Sequence, residues 1–181
     1  VEGNRLDFGA LISETIVLLE SKPAIRKQIQ RIYPYICVDE FQDTNLAQYR
    51  VLRQLVNPDT RNLFVVADDD QIIYQWNGAE PERLQQLRDE FSMTVIQLPE
   101  SYRCPPEVID IANNLIINNI GRSADKQLLQ ARKPSEGQSP IRVLAFDTLE
   151  EEAAWVAGDI SRQPESLREK SAILARTRKV L

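Results

Sequence analysis

The chain contains no histidine, and this absence removes whole classes of chemistry. Ser-His-Asp and Cys-His catalysis both need an imidazole to take and return a proton. Only two cysteines occur, Cys37 and Cys104, without Cys-x-x-Cys spacing, so a structural zinc is not expected. The residues that follow the six glycines are Asn4, Ala10, Ala79, Arg122, Gln138 and Asp159. None is lysine, so no Gly-x-x-x-x-Gly-Lys-Ser/Thr phosphate loop is present. No apolar run approaches the roughly 20 residues that cross a bilayer, and no signal peptide opens the sequence; the expected location is cytoplasmic. An excess of basic residues is missing too. With 22 Lys and Arg against 27 Asp and Glu, the net charge is −5 and the pI about 4.9. Nucleic acid would then be held by a local groove of a few cations and stacking aromatics, not by a basic face.

What remains is an ordinary globular composition, 43% hydrophobic and 27% charged over 181 residues, enough for one domain or two small ones with a buried core. Chemistry must rest on carboxylates, a metal and cations. Phe8, Leu11, Ile12, Thr15, Ile16 and Leu19 follow helical spacing behind a capping Asp7. A polar helix over 23–31, a strand over 35–38, an amphipathic helix after Thr44, a strand over 63–67 and a helix over 80–91 follow. The second half reads as a strand over 94–98, a helix over 106–119 with Val108, Ile111, Ala112, Leu115 and Ile116 on one face, and a surface loop over 121–140. A strand over 141–146, a helix carrying Ala153, Val156, Ala157 and Ile160, and a strand over 172–175 complete it. Strands alternating with helices predict an α/β fold with parallel sheets, divided near residue 92.

The informative feature is how the strands end. Tyr35-Ile36-Cys37-Val38 stops at Asp39-Glu40-Phe41-Gln42-Asp43-Thr44. In an open parallel sheet, ligands sit beyond the carboxyl ends of the strands, so acids there face a site. One carboxylate can hold Mg2+ on a nucleotide while its neighbour orients and deprotonates the attacking water. An Asp-Glu pair after an apolar run can equally be a solvated turn. A second run, Leu63 to Ala67, ends in Asp68-Asp69-Asp70-Gln71-Ile72-Ile73-Tyr74-Gln75-Trp76-Asn77-Gly78-Ala79, and a third leads into Leu98-Pro99-Glu100-Ser101-Tyr102-Arg103. Asp68, Asp69 and Asp70 are not expected to share one ion, because alternate side chains of an extended segment point oppositely. Arg122, Lys126, Arg132 and Lys133 read as solvated loop charges.

These three blocks, in this order, resemble motifs II, III and IV of the UvrD/Rep/PcrA-like superfamily 1 DNA helicases, and the likeness extends more weakly over residues 6–181. The resemblance implies parts of two RecA-like (P-loop NTPase) parallel-sheet domains: 1–92, the later part of the ATP-binding domain, and 93–181, the early part of the second. It implies ATP and Mg2+ as cofactors, with Asp39 on the metal, Glu40 as general base and Gln42 close by, its amide able to bridge water and phosphate. Asp43 and Thr44 would shape the turn and cap the next helix. Gln71 would sense the γ-phosphate; Tyr102 would stack on adenine, and Arg103 would reach the γ-phosphate from the second domain.

Trp76 would be a platform for a single-stranded DNA base, with Tyr74 beside it on the same side of an extended segment, and Asn77 stands where the family commonly has an arginine that holds the strand. Ala67 and Ser101 also depart from the common pattern, which has Gly and Asn there. The implied whole is a helicase or translocase moving 3′ to 5′ on single-stranded DNA at a duplex junction, in repair or recombination. Its partners are DNA and the remaining helicase domains of the same chain, with no membrane. The chain reads as an internal fragment that is inactive alone. A RecB/AddA-like helicase-nuclease subunit and a degenerate interaction module are the alternatives.

Overall fold

A computed structural model describes residues 6–73, 78, 80, 82–119, 122, 125–132 and 141–175. Residues 1–134 gather into one compact unit and residues 135–181 into another.

The first unit opens with α1 (Phe8–Ser21), whose N-cap Asp7 accepts a 2.7 Å hydrogen bond from the Ala10 amide, satisfying a donor that the first helical turn leaves free. Only the part of its apolar stripe that meets a neighbour is covered: Ile16 and Leu19 are buried, whereas Phe8 and Leu11 are exposed. Next, α2 (Pro23–Ile32) starts on a proline, which has no amide hydrogen to lose. The strand β1 (Ile36–Val38) pairs in parallel with β2 (Leu63–Val65), Cys37 standing opposite Phe64, and α3 (Leu46–Leu55) makes the crossover that parallel pairing requires. The cap of α3 is Asn45, in a reciprocal capping box with Gln48, and not Thr44 as expected. Asp43 is spent in a short 3-10 turn, Phe41–Asp43, so the helix starts one residue later.

The core lies on this pair of strands. Phe41, Tyr49, Leu52, Val56 and Leu87 are buried, with Leu87 contributed by α4 (Glu82–Phe91). Phe41 and Tyr49 meet edge to face at 6.1 Å. The Tyr49 hydroxyl donates to Glu90 at 2.5 Å; burial, and then that bond to a carboxylate, push its pKa up to about 12. Gln30 is buried and donates to the carbonyls of Gln54 and Val56, satisfying acceptors at the end of α3.

A second parallel pair joins β3 (Glu100–Ser101) to β4 (Gln130–Ala131), with α5 (Pro106–Ile116) between them. Strand pairing thus begins at Glu100, not over 94–98, and Ile96 and Leu98 stay 79% and 82% exposed. The expected loop over 121–140 instead supplies β4. The buried residue of α5 is Ile109, while Ile111 and Leu115 are exposed, so its inner face is rotated from the expected one.

The second unit is built on α6 (Leu149–Ser161), capped by Thr148, and a short α7 (Glu165–Arg168). Phe146 packs on Trp155 at 5.9 Å, and Arg142 lies over the Trp155 ring while pairing with Asp159. The expected strands over 141–146 and 172–175 are not formed; Val143 and Leu174 are 89% and 92% exposed. A strand needs a ladder of a neighbour's amides and carbonyls as well as apolar side chains, and neither segment is paired into one.

Leu87, 1% exposed, sits where α4 closes the core. Truncation to alanine removes buried surface and leaves a cavity. We expect Leu87→Ala to lower the unfolding free energy by about 2–5 kcal/mol, read as an earlier urea midpoint with little change of slope.

Candidate functional site

The ends of β1 and β2 are locked together before any side chain is considered. The Val66 amide donates to the Val38 carbonyl at 2.8 Å, and the Phe41 amide donates back to the Val66 carbonyl at 3.1 Å. The chain then turns sharply at Glu40, whose φ of 48° is left-handed, a region costly for residues other than glycine. Arg61 and Ser92 share that sign at loop positions, so the conformation by itself does not mark function. Its effect here is local. It reverses the chain so that Phe41 and Gln42 enter the protein while Asp39 and Glu40 stay exposed.

Gln42 then connects the two strand ends. It is 5% exposed. Its amide nitrogen donates to Glu40 Oε2 at 2.6 Å, and its oxygen accepts from the Asp68 amide at 3.0 Å. Asp68 Oδ2 in turn accepts from the Gln71 side chain at 2.7 Å. Glu40, Gln42, Asp68 and Gln71 therefore form one chain of hydrogen bonds across the sheet edge, with Asp39 next to it, its Oδ1 accepting from the Glu40 amide at 3.0 Å. A cleft of about 410 Å3 opens beside Asp39 and Glu40, floored by Ile36, Val38 and Leu52.

Three acids do converge, contrary to the expectation from an extended strand. Residues 69–71 form a 3-10 turn, with the Asp68 side chain accepting from the Asp70 amide at 3.0 Å. The turn brings one carboxylate oxygen of each of Asp68, Asp69 and Asp70 within 4.8 Å of the others. The Lys126 ammonium sits among them, 2.5 Å from Asp68 and 2.9 Å from Asp70, and paired also with Asp69. Arg122 reaches Asp70 at 3.2 Å. Burial works to raise the Asp68 pKa, but hydrogen bonds from Lys126 and Gln71 and the Lys126 charge outweigh it and hold the carboxyl below its usual range. For Lys126, burial works to lower the pKa and the three carboxylates prevail, raising it.

Arg122 and Lys126, read from sequence as solvated loop charges, are thus the partners of the acids after β2. Three consecutive acids and an Arg-x-x-x-Lys pair were visible as charge patterns. Their meeting across 52 and 58 residues was not.

The remaining candidates are Tyr102, Arg103, Tyr74, Trp76 and Asn77. Tyr102 is exposed and donates to Glu100 at 2.9 Å, where Arg132 also pairs. Arg103 is exposed and makes no ion pair among the described residues. No hydrogen bond joins either of them to Asp39, Glu40, Gln42 or Gln71 among the described residues. Tyr74, Trp76 and Asn77 lie outside the described residues. Just beyond them, Gly78 turns with a φ of 86°, and its carbonyl accepts from the buried Arg83 at 3.2 Å.

These features define an α/β protein that gathers acids and amides at one edge of a parallel strand pair. Sequence comparison gives the family. Residues 1–92 match the UvrD/REP helicase N-terminal domain and residues 96–180 the UvrD-like helicase C-terminal domain, and the chain belongs to the UvrD/REP helicase family. It is similar to DNA helicase II of Haemophilus influenzae, 36% identical over 156 residues, which are 86% of this chain and 21% of that protein. It is also similar to the ATP-dependent DNA helicase Rep of Escherichia coli K12, 38% identical over 160 residues, 87% of this chain and 23% of that one. A probable DNA helicase II homolog of Rickettsia felis is 36% identical over 160 residues, 88% and 24% of the two chains. The chain spans between a fifth and a quarter of the length of these relatives. Among the described residues no helix is long and apolar enough to cross a membrane.

The linkage between Asp68 and Lys126 sets a pH window. A carboxyl depressed in the folded state adds stability above its unfolded pKa, near 3.9, and loses it as pH falls through the lower folded value. A lysine raised in the folded state adds stability below about 10.4 and loses it as pH rises through the higher folded value. We expect the stability difference between wild type and Asp68→Asn to be level across neutral pH and to shrink as pH falls below about 4, measured by urea unfolding at each pH.

Proposed function

We propose that the protein to which these residues belong is an ATP-dependent DNA helicase or translocase, moving 3′ to 5′ along single-stranded DNA, with 1–92 and 93–181 as parts of two RecA-like domains. The observation that carries this reading is the hydrogen-bonded chain Glu40–Gln42–Asp68–Gln71 across the carboxyl ends of two parallel strands. Such an edge is where an α/β sheet holds phosphate. The family matches support the division, and the names of the relatives support the activity.

The donor set suits Mg2+. Asp39 is exposed and spends one oxygen on its neighbour's amide, leaving a hard oxygen ligand of the kind that ion takes, one or two carboxylates being completed by phosphate and water. Bound there, Mg2+ with ATP would neutralise charge on the β- and γ-phosphates. Glu40 is the general base, and its carboxylate is aimed by the Gln42 amide. Gln71 meets the γ-phosphate, and its present hydrogen bond to Asp68 keeps it at the same edge. Tyr102 takes the adenine, and Arg103 supplies a guanidinium once the second domain closes, so that closure and hydrolysis are coupled. Tyr74, Trp76 and Asn77 contact DNA, the aromatics by stacking worth about 1–3 kcal/mol per base, indifferent to sequence.

In the full-length protein, Glu40→Gln should cut ATP turnover by about 10²–10⁴-fold while ATP binding stays within a few fold; turnover at the wild-type rate would remove Glu40 from this role. Trp76→Ala should reduce DNA-stimulated hydrolysis more than basal hydrolysis, and an equal loss in both would count against a stacking platform.

A further inference from the structure

We infer that Lys126 is a positioning residue for Gln71, acting through Asp68, so that a residue of the C-terminal helicase domain sets the geometry of the phosphate-facing glutamine of the N-terminal one. The inference rests on the proposed role of Gln71.

The lysine is held in place, unlike a free surface cation. Arg122 donates through Nη1 to the Lys126 carbonyl and through Nη2 to the Gln127 carbonyl, each at 2.8 Å. Gln97 accepts from the Gln127 amide at 2.8 Å and donates to the Asp125 carbonyl at 2.9 Å. Two side chains thus pin three consecutive residues of backbone. Lys126 is delivered to the acids with its main chain already fixed, so little ordering remains to be done.

The acids need it. Three carboxylates with oxygens within 4.8 Å of one another repel unless a cation lies between them. The ammonium occupies the centre that a metal ion would take, and Arg122 adds a second positive charge from the side, on Asp70.

The consequence reaches Gln71 through the two oxygens of one carboxylate. Asp68 Oδ1 accepts from Lys126 and from the Asp70 amide, which fixes the plane of the group, and Oδ2 is thereby aimed at the Gln71 amide at 2.7 Å. Without the ammonium, the Asp70 amide alone holds Oδ1 against repulsion from the Asp69 and Asp70 carboxylates, so Asp68 is less firmly placed and the acceptor that holds Gln71 with it. Lys126 lies within the match to the C-terminal domain, 96–180, and Asp68 and Gln71 within the match to the N-terminal domain, 1–92. Movement of the segment carrying Lys126 would therefore be felt at Gln71 without any change in the strands.

The test is a double-mutant cycle in the full-length protein, reading steady-state ATP hydrolysis with saturating oligo(dT). Lys126→Met is expected to lower kcat by about tenfold or more with KM for ATP changed less than about threefold. Lys126→Arg, which keeps a cation, should return kcat to within about threefold of wild type. Combined with Gln71→Ala, Lys126→Met should add nothing further, since both act through one group. Losses that multiply in the double variant, or a Lys126→Met enzyme with wild-type kcat, overturn the inference and leave the proposed function intact. If Lys126→Met does not fold, as judged by thermal melting, Lys126→Gln takes its place in the same cycle with the same criteria. A wild-type protein without ATP hydrolysis, or normal kcat in Gln71→Ala, brings down the proposed role of Gln71 and this inference with it.

Discussion

The side-chain amide of Gln42 holds the site together. It is nearly inaccessible to water and has both ends occupied, one by the Glu40 carboxylate and one by the Asp68 amide. A buried amide left unpaired costs about 1–3 kcal/mol, so the ends of β1 and β2 can separate only by paying that desolvation cost as well as breaking the backbone bonds between Val38, Phe41 and Val66. The left-handed turn at Glu40 belongs to the same device. It lets Phe41 enter the core and Gln42 follow it while Asp39 and Glu40 remain outside, so burial of one pair of residues presents the other to solvent.

Electrostatics divides the edge into two regions that differ in how their charge is met. After β2, three acids are answered by Lys126 and Arg122, an arrangement whose charges largely satisfy one another. After β1, Asp39 and Glu40 have no cation among the described residues; their partners are a backbone amide and the amide of Gln42. The greater part of the unanswered negative charge of the edge therefore lies at Asp39 and Glu40, where a divalent cation would be attracted. Gln42 and Asp68 link the two regions, and a change among the acids after β2 can reach Glu40 through two hydrogen bonds.

Much of this was readable in the sequence, because the signals were local. Leu63 to Val65 and Ile36 to Val38 are apolar, β-prone and followed at once by acids, and Asp7 and Pro23 start their helices as capping chemistry dictates. The fold class, α/β with parallel strands, followed from their alternation with helices. What failed depends on partners. Val143 and Leu174 belong to segments patterned as strands, but a ladder requires a second chain segment alongside, and pattern alone cannot supply one. The pair β3 and β4 is two residues deep, too short to carry a period that sequence could show. The convergence of the acids at 68–70 is not legible in sequence, because alternation holds for an extended segment and the chain here coils into a 3-10 turn. The partners of Lys126 lie far away in sequence, and no local signal distinguishes a captured lysine from a solvated one.

The central claim is that the carboxyl ends of β1 and β2 form one phosphate-facing edge, joined through Gln42. Its most direct measurement is an experimental structure of the full-length protein with Mg2+ and a hydrolysis-resistant ATP analogue. The account predicts metal at Asp39, the γ-phosphate within reach of Glu40 and Gln71, and Gln42 still spanning Glu40 and the Asp68 amide. Metal and phosphates bound elsewhere, with Asp39 and Glu40 left in solvent, would contradict it.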